Sequence, residues 1–410
     1  MSIFTWRAVA MAAAFLPLTV AAAPLTLDAA LEKAVQRSEA TRSARAAVTS
    51  ASESARAAGQ LPDPTLRAGV DNLPVTGSDR LSTARDSMTM KRIGISQEWL
   101  SADKRAARQA AADAMVSREG IAVRSAAADT RLQTALAYIN AYFARESLTL
   151  TTLTEHHLHE EFEASRARLS ASTGSSQEVL ALAGARGMAE DESADVRQQQ
   201  ATADVVLQRW TGTSFDELLP VGGFPLPTEA VFVANHPGVE ALQRDIEVAK
   251  QTAAVASSDR KANWTWEVSY GQRTGYSDMV SVGVSIPLQV ARDRRQDRET
   301  ASKLALVDKA EADLAEATRA ASAEYLSWTS DVSRLRERIE RFQSGVVAPA
   351  QQRTAAALAA YRSNQATLQV LFEARHAEVE AQRRLLTLQR DLARTQAQLA
   401  FRPLTFGAAQ

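Results

Sequence analysis

The sequence predicts a mainly α-helical chain with a small β part. One unit of helix, strand pair and long broken helix occurs twice, and three chains are expected to close a twelve-stranded transmembrane β-barrel, four strands coming from each chain. Three observations predict this. Residues 103–169 and 292–343 are rich in strong helix formers and contain no proline. Four short stretches alternate apolar and polar residues with period two. The order of these features then repeats: 40–58 corresponds to 238–256, 95–97 to 284–286 and 179–180 to 370–371, at spacings of 189–198 residues.

Composition narrows the class. A helix over 103–169 extends about 100 Å, far beyond a compact domain. The formal net charge of the 410-residue chain is only -1, so no basic field points to nucleic acid. Cysteine is absent, which excludes disulfides, a thiolate metal site, a cysteine nucleophile and an acylated N-terminal cysteine. Residues 1–23 read as an export signal: Arg7 precedes a short apolar run over 8–20 and small residues follow, with cleavage expected near Ala22 or Ala23. No later stretch has the length of a membrane helix, so any entry into a bilayer must be by strands.

Taken in order, 25–58 is helical, with Thr26 or Asp28 as cap and Leu27, Leu31 and Val35 on one face. Gly59 and Leu61-Pro62-Asp63-Pro64 stop it. Extended segments follow near 65–72 and 87–98. In the second, Met88 and Met90 take one phase and Ile93, Ile95 and Trp99 the other, which predicts a bulge near Lys91 or Arg92. The long helix from Asp103 breaks at 171–176 and resumes to about Trp210. Residues 219–235 form a connection rich in glycine and proline. The second unit then runs as helix over 236–260, strands near 264–272 and 279–288, long helix from Arg292, a break at 363–366 and a last helix to about Ala400. We therefore divide the chain into a leader, 1–23, a first repeat, 24–218, a linker, 219–235, a second repeat, 236–403, and a tail, 404–410.

The second strand pair is the clearest. Trp264, Trp266, Val268 and Tyr270 alternate with Thr265, Glu267 and Ser269, and Val280, Val282, Val284 and Ile286 alternate with Ser281, Gly283 and Ser285. Each strand thus has an apolar face suited to lipid, with aromatic residues near the strand ends, and a face of Thr, Ser, Gly and Glu suited to a lumen. Four strands are too few to close a barrel, while three chains supply twelve and remove the exposed edges.

Several of these segments resemble the TolC-like outer-membrane efflux factors over about residues 24–403. They are the opening 25–31 (Leu-Thr-Leu-Asp-Ala-Ala-Leu), the Leu61-Pro62-Asp63-Pro64 turn, the paired endings at 94–99 and 283–288, and Tyr361-Arg362-Ser363-Asn364 through Val370-Leu371 with Ala374-Arg375. The short length, the Leu-Pro-Asp-Pro turn and the 276–282 run look most like the heavy-metal (cobalt-zinc-cadmium, CzcC-type) subgroup. The chain departs from the family at 97–101, where Gln-Glu-Trp-Leu-Ser replaces a proline, and at Asn364, which replaces a common glycine.

The resemblance implies a homotrimeric, passive exit duct in the outer membrane of a Gram-negative bacterium, a trimeric α-barrel continuing the twelve-stranded transmembrane β-barrel as a long periplasmic extension. It would work with a periplasmic membrane-fusion adaptor and an inner-membrane RND-type pump, and would carry divalent heavy-metal cations. It also implies that the turns at Ser172, Thr173, Gly174 and Ser175 and at Ser363, Asn364, Gln365 and Ala366 form the periplasmic aperture and meet the adaptor.

Other constellations carry less. His156, His159, Glu160 and Glu163 share one helical face with a spacing that suits a borderline metal ion. A solvated, charge-rich helix face is the commoner origin of such a pattern and outweighs the metal reading. The charge runs 292–298 and 334–341 mix Arg with Asp and Glu, as solvated helices do. No nucleophile elbow, phosphate loop or zinc-protease motif occurs, so neither enzymatic activity nor a cofactor is expected. Within the class, a multidrug or type I protein secretion duct of the same fold competes with metal efflux. From another class, a soluble periplasmic helical adaptor or scaffold competes, and the alternating strands argue against it.

Overall fold

A computed structural model describes residues 24–404 of the chain. The expected leader and all of the expected tail except Leu404 lie outside the described residues. The first half contains α1 (Leu27–Arg37), α2 (Glu39–Ala58), β1 (Thr65–Asp71), β2 (Met90–Trp99), α3 (Ala102–Ser170) and α4 (Ser176–Thr211). The second contains α5 (Glu229–Ala234), α6 (Pro237–Ser258), β3 (Trp264–Gln272), β4 (Met279–Ser285), α7 (Gln296–Phe342), a π-helical turn (Gln343–Val347), α8 (Ala348–Arg362) and α9 (Leu368–Phe401). The duplicated order of helix, strand pair and long helix is thus the architecture of the chain.

Local chemistry accounts for the element ends. Thr26 caps α1 by accepting from the Ala29 N–H at 3.1 Å. The expected helix over 25–58 is divided at Ser38, whose extended backbone ends α1 and whose hydroxyl accepts from the Thr41 N–H at 3.2 Å to start α2. That hydroxyl also lies 2.9 Å from Thr130 Oγ1 on α3, so the break turns α2 to run along α3. Ser101 and Ser175 cap α3 and α4, and Gly212 closes α4 in the left-handed conformation at φ 70°.

Two features were not foreseen. The expected continuous helix beyond Phe342 widens into a π turn, where the Ala348 N–H reaches the Gln343 carbonyl. Pro349 lies just beyond; its ring crowds the carbonyl four residues back, Gly345, and it offers no N–H, so the extra residue relieves a kink. Within the 219–235 connection, α5 forms because Phe232 buries completely against Tyr325, Trp328 and Leu399.

The four strands form one antiparallel sheet in the order β1-β2-β3-β4. Its central pairing, β2 with β3, joins the two halves of the chain. The bulge expected near Lys91 or Arg92 does not form: Thr65 to Asp71 pair with Ser96 to Met90 without a skipped residue, and Lys91 to Trp99 pair with Gln272 to Trp264 in the same way. The strand begins at Met90, so Met88, which suggested the change of phase, lies outside it. Met90 itself takes the polar face, where its thioether covers Gly271. At the other end β4 stops at Ser285 rather than near residue 288, just before Pro287, which has no N–H to donate.

The helical body is organised around α3, which packs against α2, α4, α6 and α9, while α7 packs against α6 and α9. At 69 residues α3 is about 100 Å long. Its middle carries the main core, Ala135, Ala137, Tyr138, Ile139 and Ala141, all buried against α1, α4, α9 and the 215–224 segment. Leu25 and Leu218 form a parallel bridge over this core, and the buried Tyr138 hydroxyl lies 2.7 Å from the Leu25 carbonyl and 2.8 Å from the Leu219 carbonyl, sharing one proton between them. Burial raises the Tyr138 phenol to about 12, so it stays a donor across all working pH. Tyr138→Phe leaves both carbonyls without this donor and is expected to cost about 1–3 kcal/mol, seen as a lower thermal midpoint of the purified protein with unchanged helix content.

Candidate functional site

Two regions stand out, the sheet and the paired helix turns at the opposite end of the long helices. In the sheet, register places like residues in rows. Leu66, Ile95, Val268 and Val282 form one row across all four strands, and Ala68, Ile93, Tyr270 and Val280 form the next. Gln97, Trp266 and Val284 continue the same face, and Trp99 meets Trp264 with ring centroids 6.0 Å apart at the end nearest the helices. This apolar face is open: Leu66 is 66% exposed, Val280 70% and Val282 74%. Ile286, just past β4, is likewise exposed.

The polar face is covered along the two central strands, where Gly94, Ser96, Ser269 and Gly271 are buried, while Arg67, Gly69, Ser281, Gly283 and Ser285 of the edge strands are exposed on it. Ser96 and Ser269 are 5% and 4% exposed, and Arg67 reaches Glu267 at 3.3 Å while Arg92 pairs with Asp71 at 2.9 Å. Arg67 crosses β2 in the row of Gly94, which offers no side chain to obstruct it. A Cβ there would stand 2.6 Å from that of Ser269. A sheet in water buries its apolar face and wets its polar one. Here the arrangement is inverted. Moreover β1 and β4 each carry an outer edge with no strand beside it among the described residues. No helix among the described residues is long and apolar enough to cross a membrane.

At the other end, the expected turn residues come together. Ser172, Thr173, Gly174 and Ser175 join α3 to α4, and Ser363, Asn364, Gln365 and Ala366 join α8 to α9. Each turn has one left-handed residue, Ser172 at φ 60° and Asn364 at φ 61°. Asn tolerates that backbone because its short polar side chain bonds locally, which is why it serves here without glycine. Gly174 is fixed differently: a Cβ would lie 2.7 Å from the Leu169 nitrogen. The turns close through Thr173 N–H to the Arg168 carbonyl at 2.9 Å and Gln365 N–H to the Ala360 carbonyl at 2.8 Å.

The two hairpins are held side by side. Leu182 packs with Ala357, Leu368, Leu371 and Ala374, and the Arg168 guanidinium lies 5.8 Å over the Tyr361 ring while pairing with Glu178 at 2.9 Å. Farther up, Arg375 of α9 pairs with the buried Glu161 of α3. Burial raises the Glu161 carboxyl above its ordinary range, against the opposing charge of Arg375. Outward from this seam Leu180 and Met188 stand exposed.

The histidine face does not assemble a metal site. His156 and His157 turn toward Glu160 at 3.4 and 3.7 Å, His159 and Glu163 do not join them, and no three His, Asp or Glu among the described residues are placed to hold one ion. A different set was missed in the sequence: Arg383, Thr387, Arg390 and Arg394 lie along one side of α9 at helical spacing and line a cleft of about 520 Å3 with α3 and α4. Its signal was present as basic residues seven and eleven apart, obscured by the many charges around them.

No family model and no curated protein matches the chain. Its fold does match solved structures. The outer-membrane channel OprN superposes with a TM-score of 0.77 at 15% identity, covering 93% of this chain and 90% of that one. The outer membrane protein VceC from Vibrio cholerae gives 0.76 at 17%, covering 93% and 96%. CusC, whose structures concern folding and transmembrane channel formation, gives 0.77 at 13%, covering 93% and 92%. At such identities the likeness establishes the fold.

Two outcomes test the turn region. Asn364→Val should lower stability by about 1–2 kcal/mol through left-handed strain while Asn364→Gly stays near neutral, read as amide exchange of residues 360–368. Because Glu161 binds its proton more tightly folded than unfolded, its ionisation costs stability as pH rises from the ordinary carboxylate range through the folded value. The thermal midpoint of Glu161→Gln should therefore fall less than the parent's as pH rises above the ordinary carboxylate range.

Proposed function

We propose that the chain is one protomer of a homotrimeric outer-membrane exit duct, a passive component of a tripartite efflux system with a periplasmic adaptor and an inner-membrane pump. The inverted sheet is the observation that carries this reading. An apolar face open across all four strands, a polar face covered only at the centre and two free edges suit strands that stand in lipid and close with copies of themselves. Strand length agrees: the nine residues of β3 span about 30 Å, and a tilt of about 40° brings that near the ~25 Å apolar band of such barrels. A soluble adaptor or scaffold gives no reason to hold Ile, Val and Trp in register on an open face.

In this reading the polar face, with its Arg67–Glu267 and Arg92–Asp71 pairs, lines the lumen, and Trp99, Trp264 and Trp266 mark the periplasmic edge of the membrane. Two hydrophobic-core repeats, 24–218 and 236–403, supply the staves. The turns at 172–175 and 363–366 form the aperture and meet the adaptor, and opening requires the two hairpins of each protomer to part from those of its neighbours. The energy for transport and most of the cargo choice lie in the pump. The heavy-metal resemblance makes divalent cations the first cargo to test, against drugs or a secreted protein carried by a duct of the same fold.

The test is a strain lacking this chain, complemented by the parent or by Val282→Lys. Loss of the duct should raise cell-associated cobalt, nickel, zinc or cadmium, or lower tolerance to dyes and detergents, and the parent should reverse it. Val282→Lys, at a cost of about 2–4 kcal/mol for a lysine near mid-bilayer, should fail to assemble in the outer membrane and fail to complement. Full complementation by Val282→Lys, with trimers at parent abundance, would count against a lipid-facing β4.

A further inference from the structure

The cleft lined by Arg383, Arg384, Arg390 and Arg394 belongs to neither the sheet nor the turns. It spans three neighbouring helices, α4, α3 and α9. On α3, Asn140, Ala144 and Ser147 of the cleft lie about half a turn from Tyr138, which meets the Leu219 carbonyl, while Phe143, with Leu386 of α9, borders both the cleft and a hollow under residues 220–223. The cleft thus lies beside the covering segment rather than beneath it. Over 383–394 the arginine row extends about 17 Å along α9.

The acids nearby are already engaged. Arg383 pairs with Glu192 and, at 2.9 Å, with Glu380. Arg390 pairs with its neighbour Asp391 at 3.1 Å, and Asp195, at the edge of an adjoining hollow, accepts from Gln199 at 2.8 Å. Arg394 donates only to the Asn140 side-chain oxygen at 2.9 Å, and neither it nor the exposed Arg384 has a carboxylate partner among the described residues. Desolvation holds the Arg383 guanidinium below its usual range, as expected of a charge in a recess rather than on an open surface. Phe143 and Leu386 supply an apolar margin to the same cleft.

We propose that this cleft is an anion-binding subsite on the inner wall of the duct, taking an amphiphile whose sulfonate, carboxylate or phosphate meets Arg384, Arg390 and Arg394 and whose apolar body lies on Phe143 and Leu386. Guanidiniums with unused donors recognise such oxyanions by charge-assisted hydrogen bonds. Three copies around one lumen favour anionic cargo over bare divalent cations, so of the cargoes weighed for the duct the subsite supports the organic ones and not the metals. The proposal rests on the duct reading alone and not on its metal cargo.

The experiment uses the full-length mature protein in planar lipid bilayers, with 1-octanesulfonate and octyltrimethylammonium as matched probes. Octanesulfonate should reduce the conductance of the parent channel at concentrations where octyltrimethylammonium does not. In Arg390→Gln/Arg394→Gln the octanesulfonate block should weaken by about tenfold, equivalent to ~1.4 kcal/mol, and the reversal potential in a salt gradient should move toward cations. Lysine at both positions should restore the parental reversal potential. Equal block by both probes, or no block by either, overturns the subsite while leaving the channel in place, as does an unchanged reversal potential in the glutamine variant. Absence of any conductance from the parent overturns the duct reading itself.

Discussion

The outer edges of β1 and β4 constrain everything else in this molecule. A strand carries its backbone donors and acceptors along both edges, and in hydrocarbon an unpaired row of them costs several kcal/mol per group. Four strands cannot curl far enough to meet one another. In the duct reading the sheet is an arc that copies of the chain complete, with the exposed row Leu66, Ile95, Val268 and Val282 set against lipid. The bulky Trp and Tyr side chains of that face have open space around them, while on the other face the charged residues are held in the pairs Arg67–Glu267 and Arg92–Asp71.

The helices continue from the sheet. The central strand pairing comes from different halves of the chain, so the helices that leave β2 and enter β3 start side by side, and α3 packs on α6 for that reason. From there α3 serves as the shared stave, meeting α9 and α4 farther along. Its packing partners change along its length, and no single apolar stripe runs from end to end. Small residues, Ala135, Ala137 and Ala141, let the neighbours approach closely at the middle, where the parallel bridge of Leu25 and Leu218 lies across them.

Between the core and the turns the seams become polar. Arg145 to Asp204, Arg197 to Glu155, Arg375 to Glu161 and Arg383 to Glu192 tie α3, α4 and α9 together. Such pairs add little stability when solvated and lose much when one partner is removed from a buried site. They define which helix faces which without forming a wide apolar core, as the proposed hollow duct would require. The arginine row of α9 belongs to this polar system, but Arg394 meets only the Asn140 oxygen and has no carboxylate partner among the described residues.

By itself the sequence determined the features that depend on neighbours a few residues away. Period two in 264–272 and 279–285 follows from side chains alternating across a strand, the long helices from uninterrupted helix formers, the turns from residues such as Gly174 and Asn364, and the duplication from order alone. The resemblance then pointed to a fold that the solved channel structures share. Tertiary structure decided the rest. The phase change at Met88 and Met90 looked like a bulge because the start of β2 depends on where its partners end: β1 pairs with it as far as Met90 and β3 as far as Lys91, with no skipped residue. Ser38 divides a helix because Thr130, far away in the chain, receives its hydroxyl, and α5 forms because Phe232 finds Tyr325 and Trp328. His156 to Glu163 share a face in sequence but not a common point in space, whereas Arg383, Arg390 and Arg394 acquire meaning only when α3 and α4 close a cleft in front of them. Local periodicity encodes which face a residue takes; what that face meets is set by contacts between segments tens to hundreds of residues apart, and no spacing rule reaches that far.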